Sequence, residues 1–226
     1  MNKMSNMQID ENDLATNPTP RVPICLLLDT SYSMTGAPID ELNEGVKLFI
    51  EALKSDEIAC YSADVTVITF GGSVDKILDF GPINDLNIPT LTADGDTPMG
   101  EAAEEALRSL EMRKREYKDE MVEYFQPWMV LMTDGQPTDN HESSARKISN
   151  LIQDKKMTIF PIGIGDGVDM NVLKEFSPTR EPLKLRGLNF KGFFEWLSQS
   201  VTIVSQSIPG DKIKLDTDGI SSWAEL

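Results

Sequence analysis

The sequence predicts an α/β domain: a doubly wound, mostly parallel six-stranded sheet with one antiparallel edge strand and helices on both faces. Three observations predict it. Short apolar runs at residues 22–28 (VPICLLL), 127–132 (PWMVLM) and 157–164 (MTIFPIGI) lack the alternation of a half-exposed strand, so they read as parallel strands buried on both faces. Segments with apolar residues at helical spacing lie between the strands, and this alternation is the pattern of right-handed crossovers. The length of 226 residues, with 40% hydrophobic and 26% charged residues, suits one such core without a disulfide or metal to hold it.

Residues 1–20 are polar, end in Pro18 and Pro20, and read as a flexible arm. The first strand runs straight into Asp29-Thr30-Ser31-Tyr32-Ser33. Apolar residues at 39, 42, 46, 49, 50 and 53 then predict a helix over 39–54, with Pro38 placed to open it. Residues 64–70 (DVTVITF) are a second strand, and Gly71-Gly72 turn the chain into 74–80 (VDKILDF), the predicted antiparallel edge.

A polar turn over 94–100 (DGDTPMG) leads into a helix with Ala102, Ala103, Ala106, Leu107 and Leu110 inside. Glu101, Glu104 and Glu105 suit the positive end of its dipole, and EMRKREYKDE reads as its solvated end. The strand at 127–132 runs into Thr133-Asp134-Gly135. A helix over 141–155, the strand at 157–164, a short helix over 169–176, a short strand at 183–186 and a helix over 190–207 complete the domain, which spans 21–207. Residues 208–226 are polar and read as a loose tail.

The charge excludes some functions. With 21 Lys and Arg against 37 Asp and Glu the chain carries −16, and it repels phosphate backbones and anionic lipid. Neither nucleic acid nor a membrane surface is an expected partner. Cys25 and Cys60 lie in or beside apolar runs and read as reduced thiols, and with His141 the only histidine there is no zinc cluster. The start has no apolar signal core and no apolar run is long enough to span a bilayer, so the expected setting is soluble and cytoplasmic.

In open α/β sheets ligands bind beyond the carboxyl ends of the strands, where strand order reverses. Asp29, Ser31 and Ser33 follow the first strand, Thr97 precedes the third helix, and Asp134 follows the 127–132 strand. Alternate residues of an extended stretch share a side, so Asp29 and Ser31 can point together, and turn curvature can bring Ser33 round. Two carboxylates and three hydroxyls suit Mg²⁺, with Mn²⁺ an acceptable substitute. Low ligand charge leaves such a cation electrophilic and open to an outside carboxylate.

At these residues the chain resembles von Willebrand factor type A domains. D-T-S-Y-S at 29–33 is similar to the D-x-S-x-S of their metal-ion-dependent adhesion site, and G-D-T-P-M-G at 95–100 and T-D-G-Q-P-T-D at 133–139 match its other two elements in order. P-I-G-I-G at 161–165 resembles the family's fifth strand and turn. In detail the chain looks like the compact bacterial type A domains linked to tellurite-resistance and stress operons. The resemblance implies a Rossmann-like fold, Asp29, Ser31, Ser33 and Thr97 at the metal, and Asp134 bound directly or through water. It also implies a non-enzymatic binding module whose partner protein supplies an Asp or Glu. Tyr32 stands where relatives often have Gly, and no Cys-rich zinc module follows.

Other readings stand beside this one. Asp and Ser at strand ends also cap turns, and each of the five reads that way alone. Asp94 and Asp96 read as turn residues, Asp139 and Asn140 as a cap for the helix after them, and His141 as a surface helix residue. Asp216 and Asp218 begin like a calcium loop that is not completed, and Gly163-Ile164-Gly165-Asp166-Gly167 lacks dinucleotide-loop spacing. A haloacid-dehalogenase-type Mg²⁺ phosphohydrolase also places an Asp after its first strand, but its D-x-D-x-T pattern has Ser31 here in place of the second acid. A site that is never metallated is the third alternative.

Overall fold

The computed structural model describes residues 13–211, 213, 215 and 219–225. Seven strands form one sheet in the order β3-β2-β1-β4-β5-β6-β7. The central strand β1 (Val22–Asp29) pairs in parallel with β2 (Ala63–Gly71) on one side and with β4 (Trp128–Thr133) on the other. β5 (Thr158–Gly163) and β6 (Leu183–Leu185) extend the parallel sheet beyond β4. β3 (Ser73–Leu78) is the expected antiparallel edge.

Burial explains why β1 reads as an unbroken apolar run. Ile24, Leu26 and Leu28 face a core closed by α2 (Ala37–Ser55), α3 (Glu57–Ser62) and α7 (Phe190–Ser205). Cys25 and Leu27 face the opposite core, under α4 (Met99–Asp119), α5 (Glu142–Gln153) and α6 (Met170–Phe176). Every position of such a strand must be apolar until it reaches the rim, where Asp29 ends it. From β1 the chain winds out to β2 and β3, then returns to place β4 on the other flank of β1. The carboxyl ends of β1 and β4 therefore border the point where strand order reverses.

Three expectations change. The sheet has seven strands, because Ala224–Glu225, inside the expected tail, form β7 and pair antiparallel with β6. Trp223 drives this: it is 1% exposed and packs its ring on Phe193 and Trp196, at centroid distances of 5.1 and 5.5 Å. One aromatic in a polar stretch leaves no periodicity to read. The pair Asp216 and Asp218 lies outside the described residues.

The expected arm ends in a single helical turn, α1 (Asp13–Thr16), whose Leu14 packs against Tyr117 and Val122. Residues 1–12 lie outside the described residues. The charged end of α4 is not wholly solvated: Arg113 and Tyr117 are buried because Asp64, at the start of β2, is buried beneath them. The Arg113 Nε donates to Asp64 Oδ2 at 2.7 Å and the Tyr117 hydroxyl to the same oxygen at 2.6 Å. Cys25 is buried and Cys60 half-buried, both unbridged. Among the described residues no helix is long and apolar enough to cross a membrane.

Candidate metal centre

Asp29 is the last residue of β1 and is 0% exposed. Its Oδ1 accepts from the Ser31 amide at 2.8 Å, and its Oδ2 accepts from the hydroxyl of Thr133, the last residue of β4. This contact aligns the two strand ends that flank the reversal point. The chain then turns through a short 3₁₀ segment, Tyr32–Met34, which brings Ser33 back over Ser31. Their hydroxyl oxygens lie 3.0 Å apart, and the Ser33 hydroxyl donates to Asp134 Oδ1 at 2.7 Å.

Thr97 approaches from the third loop. A Cβ built on Gly135 would stand 3.7 Å from the Thr97 Oγ1 and 3.9 Å from the Ser33 Oγ. The three loops thus meet over Gly135, and the structure brings together all five residues that the sequence singles out.

Backbone hydrogen bonds between the loops hold this arrangement. Asp94 N donates to Thr30 O at 2.9 Å, Tyr32 N to Gly95 O at 2.9 Å, and Gly72 N to Asp96 O at 2.8 Å. The approach is close enough to demand glycine. A Cβ on Gly71 would stand 2.2 Å from Thr30 O, and one on Gly95, at φ +69°, would stand 2.4 Å from Gly72 Cα. Asp94 and Asp96 are exposed turn residues, as expected.

Asp139 departs from its expected role. It caps α4 rather than the helix that follows it, accepting from Gly100 N at 2.9 Å and Glu101 N at 2.8 Å. The N-cap of α5 is His141, whose ring instead stacks on Phe176 and meets Glu175 Oε2 at 3.1 Å. Sequence reasoning missed Thr133 and this use of Asp139. The T-D-G-Q-P-T-D run contains both, but spacing alone does not show where their oxygens point.

The electrostatics of the cluster are set by its two carboxylates. Burial pushes the Asp29 carboxyl up to about 6, against hydrogen bonds from Thr133 and Ser31, and the charge of Asp134 adds to the rise. Burial also raises Asp134, opposed by the Ser33 hydroxyl. Among the described residues no Lys or Arg forms an ion pair with either carboxylate. Two neighbouring acids, Asp29 buried and Asp134 half-buried, without a basic ion-pair partner among the described residues fit a divalent cation, and an all-oxygen donor set with only two carboxylates fits a hard one. Among the described residues no group of three or more His, Cys, Asp or Glu forms a metal cluster elsewhere.

Residues 24–188 match the von Willebrand factor type A domain. The chain belongs to the von Willebrand factor type A family. Domains of this family are in general binding and adhesion modules that engage other proteins through the metal-ion-dependent adhesion site.

A curated relative, an uncharacterized protein of Synechocystis, is 24% identical over 168 residues, or 71% of this chain, and the chain spans only 37% of that relative's length. The vWF domain of the type V pili tip protein Mfa5 from Porphyromonas gingivalis superposes with a TM-score of 0.63 at 12% identity, over 87% of this chain and 99% of that one. Proximal thread matrix protein 1 of the mussel byssus, with a zinc-occupied adhesion-site motif, superposes at 0.55 and 17% identity, over 81% of this chain and 48% of that one. The manganese-loaded TRAP protein of Plasmodium vivax superposes at 0.51 and 21% identity, over 72% and 64%. At such identities the likeness carries the fold alone.

Proposed function

We propose that this type A domain is a metal-dependent protein-binding module. Asp29, Ser31, Ser33, Thr97 and Asp134 hold one Mg²⁺ or Mn²⁺ ion, and an Asp or Glu of a partner protein completes its coordination. The observation that carries this reading is the pair of carboxylates, Asp29 and Asp134, joined through Ser31 and Ser33 and, among the described residues, in no ion pair with a basic side chain. The metal-loaded relatives support it. The ion supplies an electrophilic position that a carboxylate can enter in place of water. The chain's own residues do the rest: Thr133 holds Asp29 in place, Ser33 orients Asp134, and the glycines of the crossing loops let their backbones approach closely enough to gather these side chains.

The charge of −16 supports a protein partner with basic residues around its acidic one, rather than nucleic acid or an anionic membrane. The resemblance to compact bacterial type A domains of tellurite-resistance and stress operons supports a cytoplasmic scaffold in a stress-response complex as the setting.

The hydrolase alternative lacks its general acid, because Ser31 stands where that carboxyl belongs. The test is thermal. A ligand at a hundred times its dissociation constant adds about 2.7 kcal/mol to a native state that alone binds it. At roughly 2–4 °C per kcal/mol, saturating Mg²⁺ or Mn²⁺ raises the melting midpoint by about 5–10 °C. EDTA reverses the shift and Asp29→Ala abolishes it. Absence of a shift in the wild type refutes the reading, and steady phosphomonoester turnover lost in Asp29→Asn replaces it with the hydrolase.

A further inference from the structure

We infer that Thr138 and Asp139 are positioning residues for the metal centre, clamping Thr97 and the first turn of α4 to the loop that carries Asp134. This rests on the metal-centre reading above and extends it to residues outside the five. The Thr97 hydroxyl makes no hydrogen bond with the other four among the described residues, so its place in the cluster is set by its backbone. Two hydrogen bonds tie that backbone to Thr138: Thr97 N donates to the Thr138 hydroxyl at 3.1 Å, and Thr138 N donates to Thr97 O at 2.9 Å, an oxygen that also accepts from Met99 N at 2.8 Å.

One residue on, Asp139 completes the clamp. Its two carboxylate oxygens accept from Gly100 N and Glu101 N, so both already have partners and its role is to hold the helix rather than an ion. Pro98, the N-cap of α4, provides no side-chain acceptor, so Asp139 supplies from another loop the cap that the helix lacks. Gly100 makes the approach possible. A Cβ there would stand 2.4 Å from Asn140 O and 2.8 Å from His141 Cα.

The clamp ties Thr97 to Asp134 through four residues of one loop, Gly135-Gln136-Pro137-Thr138, with proline limiting its freedom. Mg²⁺ and Mn²⁺ sites tolerate little displacement of their ligands, and removing the partners that orient ligands typically costs 10–100-fold in metal affinity.

The experiment is a Mn²⁺ titration of the full chain, with free Mn²⁺ followed by electron paramagnetic resonance, beside melting in EDTA. Asp139→Ala and Thr138→Val are expected to weaken Mn²⁺ binding at least tenfold. Thr138→Ser keeps the accepting hydroxyl and retains wild-type affinity within twofold. Asp56→Ala is the control. It removes the cap of α3, which accepts from Ile58 N and Ala59 N at the opposite end of the sheet. It is expected to lower the EDTA melting midpoint as much as Asp139→Ala while leaving Mn²⁺ affinity unchanged.

Mn²⁺ affinity within twofold of wild type in both Asp139→Ala and Thr138→Val overturns the inference, as does an equal affinity loss in Asp56→Ala. Should Asp139→Ala not fold, the Thr138→Val and Thr138→Ser pair decides. A wild type that takes up no Mn²⁺ overturns the metal-centre reading and this inference together, and is thereby told apart from failure of the clamp alone.

Discussion

Removing the charge of Asp29 should make the metal-free protein more stable, and the metal-loaded protein less so. The substitution is Asp29→Asn. In the native chain the carboxyl is buried beside Asp134, and its half-point rises from an ordinary 3.8 to about 6. The folded-state value lies above the unfolded one, so the folded chain holds the proton more tightly. Stability from this group is therefore fully present below about pH 4, is lost as pH rises to about 6, and is flat beyond. A shift of that size costs the ionised apo protein about 3 kcal/mol at neutral pH, or roughly 6–12 °C in melting midpoint. Asparagine keeps an oxygen to accept from Ser31 N, and the Thr133 hydroxyl can turn to accept from its amide, so the change isolates the charge.

The assay is melting of wild type and variant in EDTA from pH 4.5 to 7.5, repeated with saturating Mg²⁺. The variant should be the more stable in EDTA at pH 7.5, and the gap should close toward pH 4.5. In Mg²⁺ the wild type should gain and the variant should not. A variant that is less stable than wild type in EDTA at pH 7.5, or a gap independent of pH, refutes the account of Asp29 as a charge held in readiness for a cation.

Three further outcomes follow from the geometry. Arg113→Met leaves the buried Asp64 carboxylate without its guanidinium partner and should cost about 3–5 kcal/mol in urea unfolding, with Asp64→Asn in the same chain recovering part of the loss. Trp223→Ala should cost about 3–5 kcal/mol although it lies beyond the last long helix, because it empties a buried site between Phe193 and Trp196; a cost under 1 kcal/mol would mean that the β6–β7 edge contributes little. Gly95→Ala drives a Cβ into Gly72 at a left-handed φ, so it should both lower the apo melting midpoint and shrink the Mg²⁺-induced rise, measured in the same melt.

Much of this protein was legible in its residues because the fold leaves local marks. β1, β4 and β5 are buried on both faces, so their apolar runs are unbroken, and the first polar residues after β1 and β4 lie at the rim. Asp29, Ser31, Ser33, Thr97 and Asp134 carry oxygen in the segments that a doubly wound sheet gathers at its reversal point, so topology turned sequence order into a cluster.

Tertiary structure alone decided what depends on distant partners. Arg113 sits in a charged helical run that reads as solvated, and it is buried because Asp64, 49 residues earlier, is drawn beneath it at the start of β2. Trp223 pins β7 to the sheet through aromatic neighbours that no spacing announces. Asp139 stands beside one helix and in reach of another. Only the packing of Gly100 against Asn140 shows that it caps α4, since a side chain's choice between two helix starts is settled by which free amides come within hydrogen-bond distance once the chain is folded.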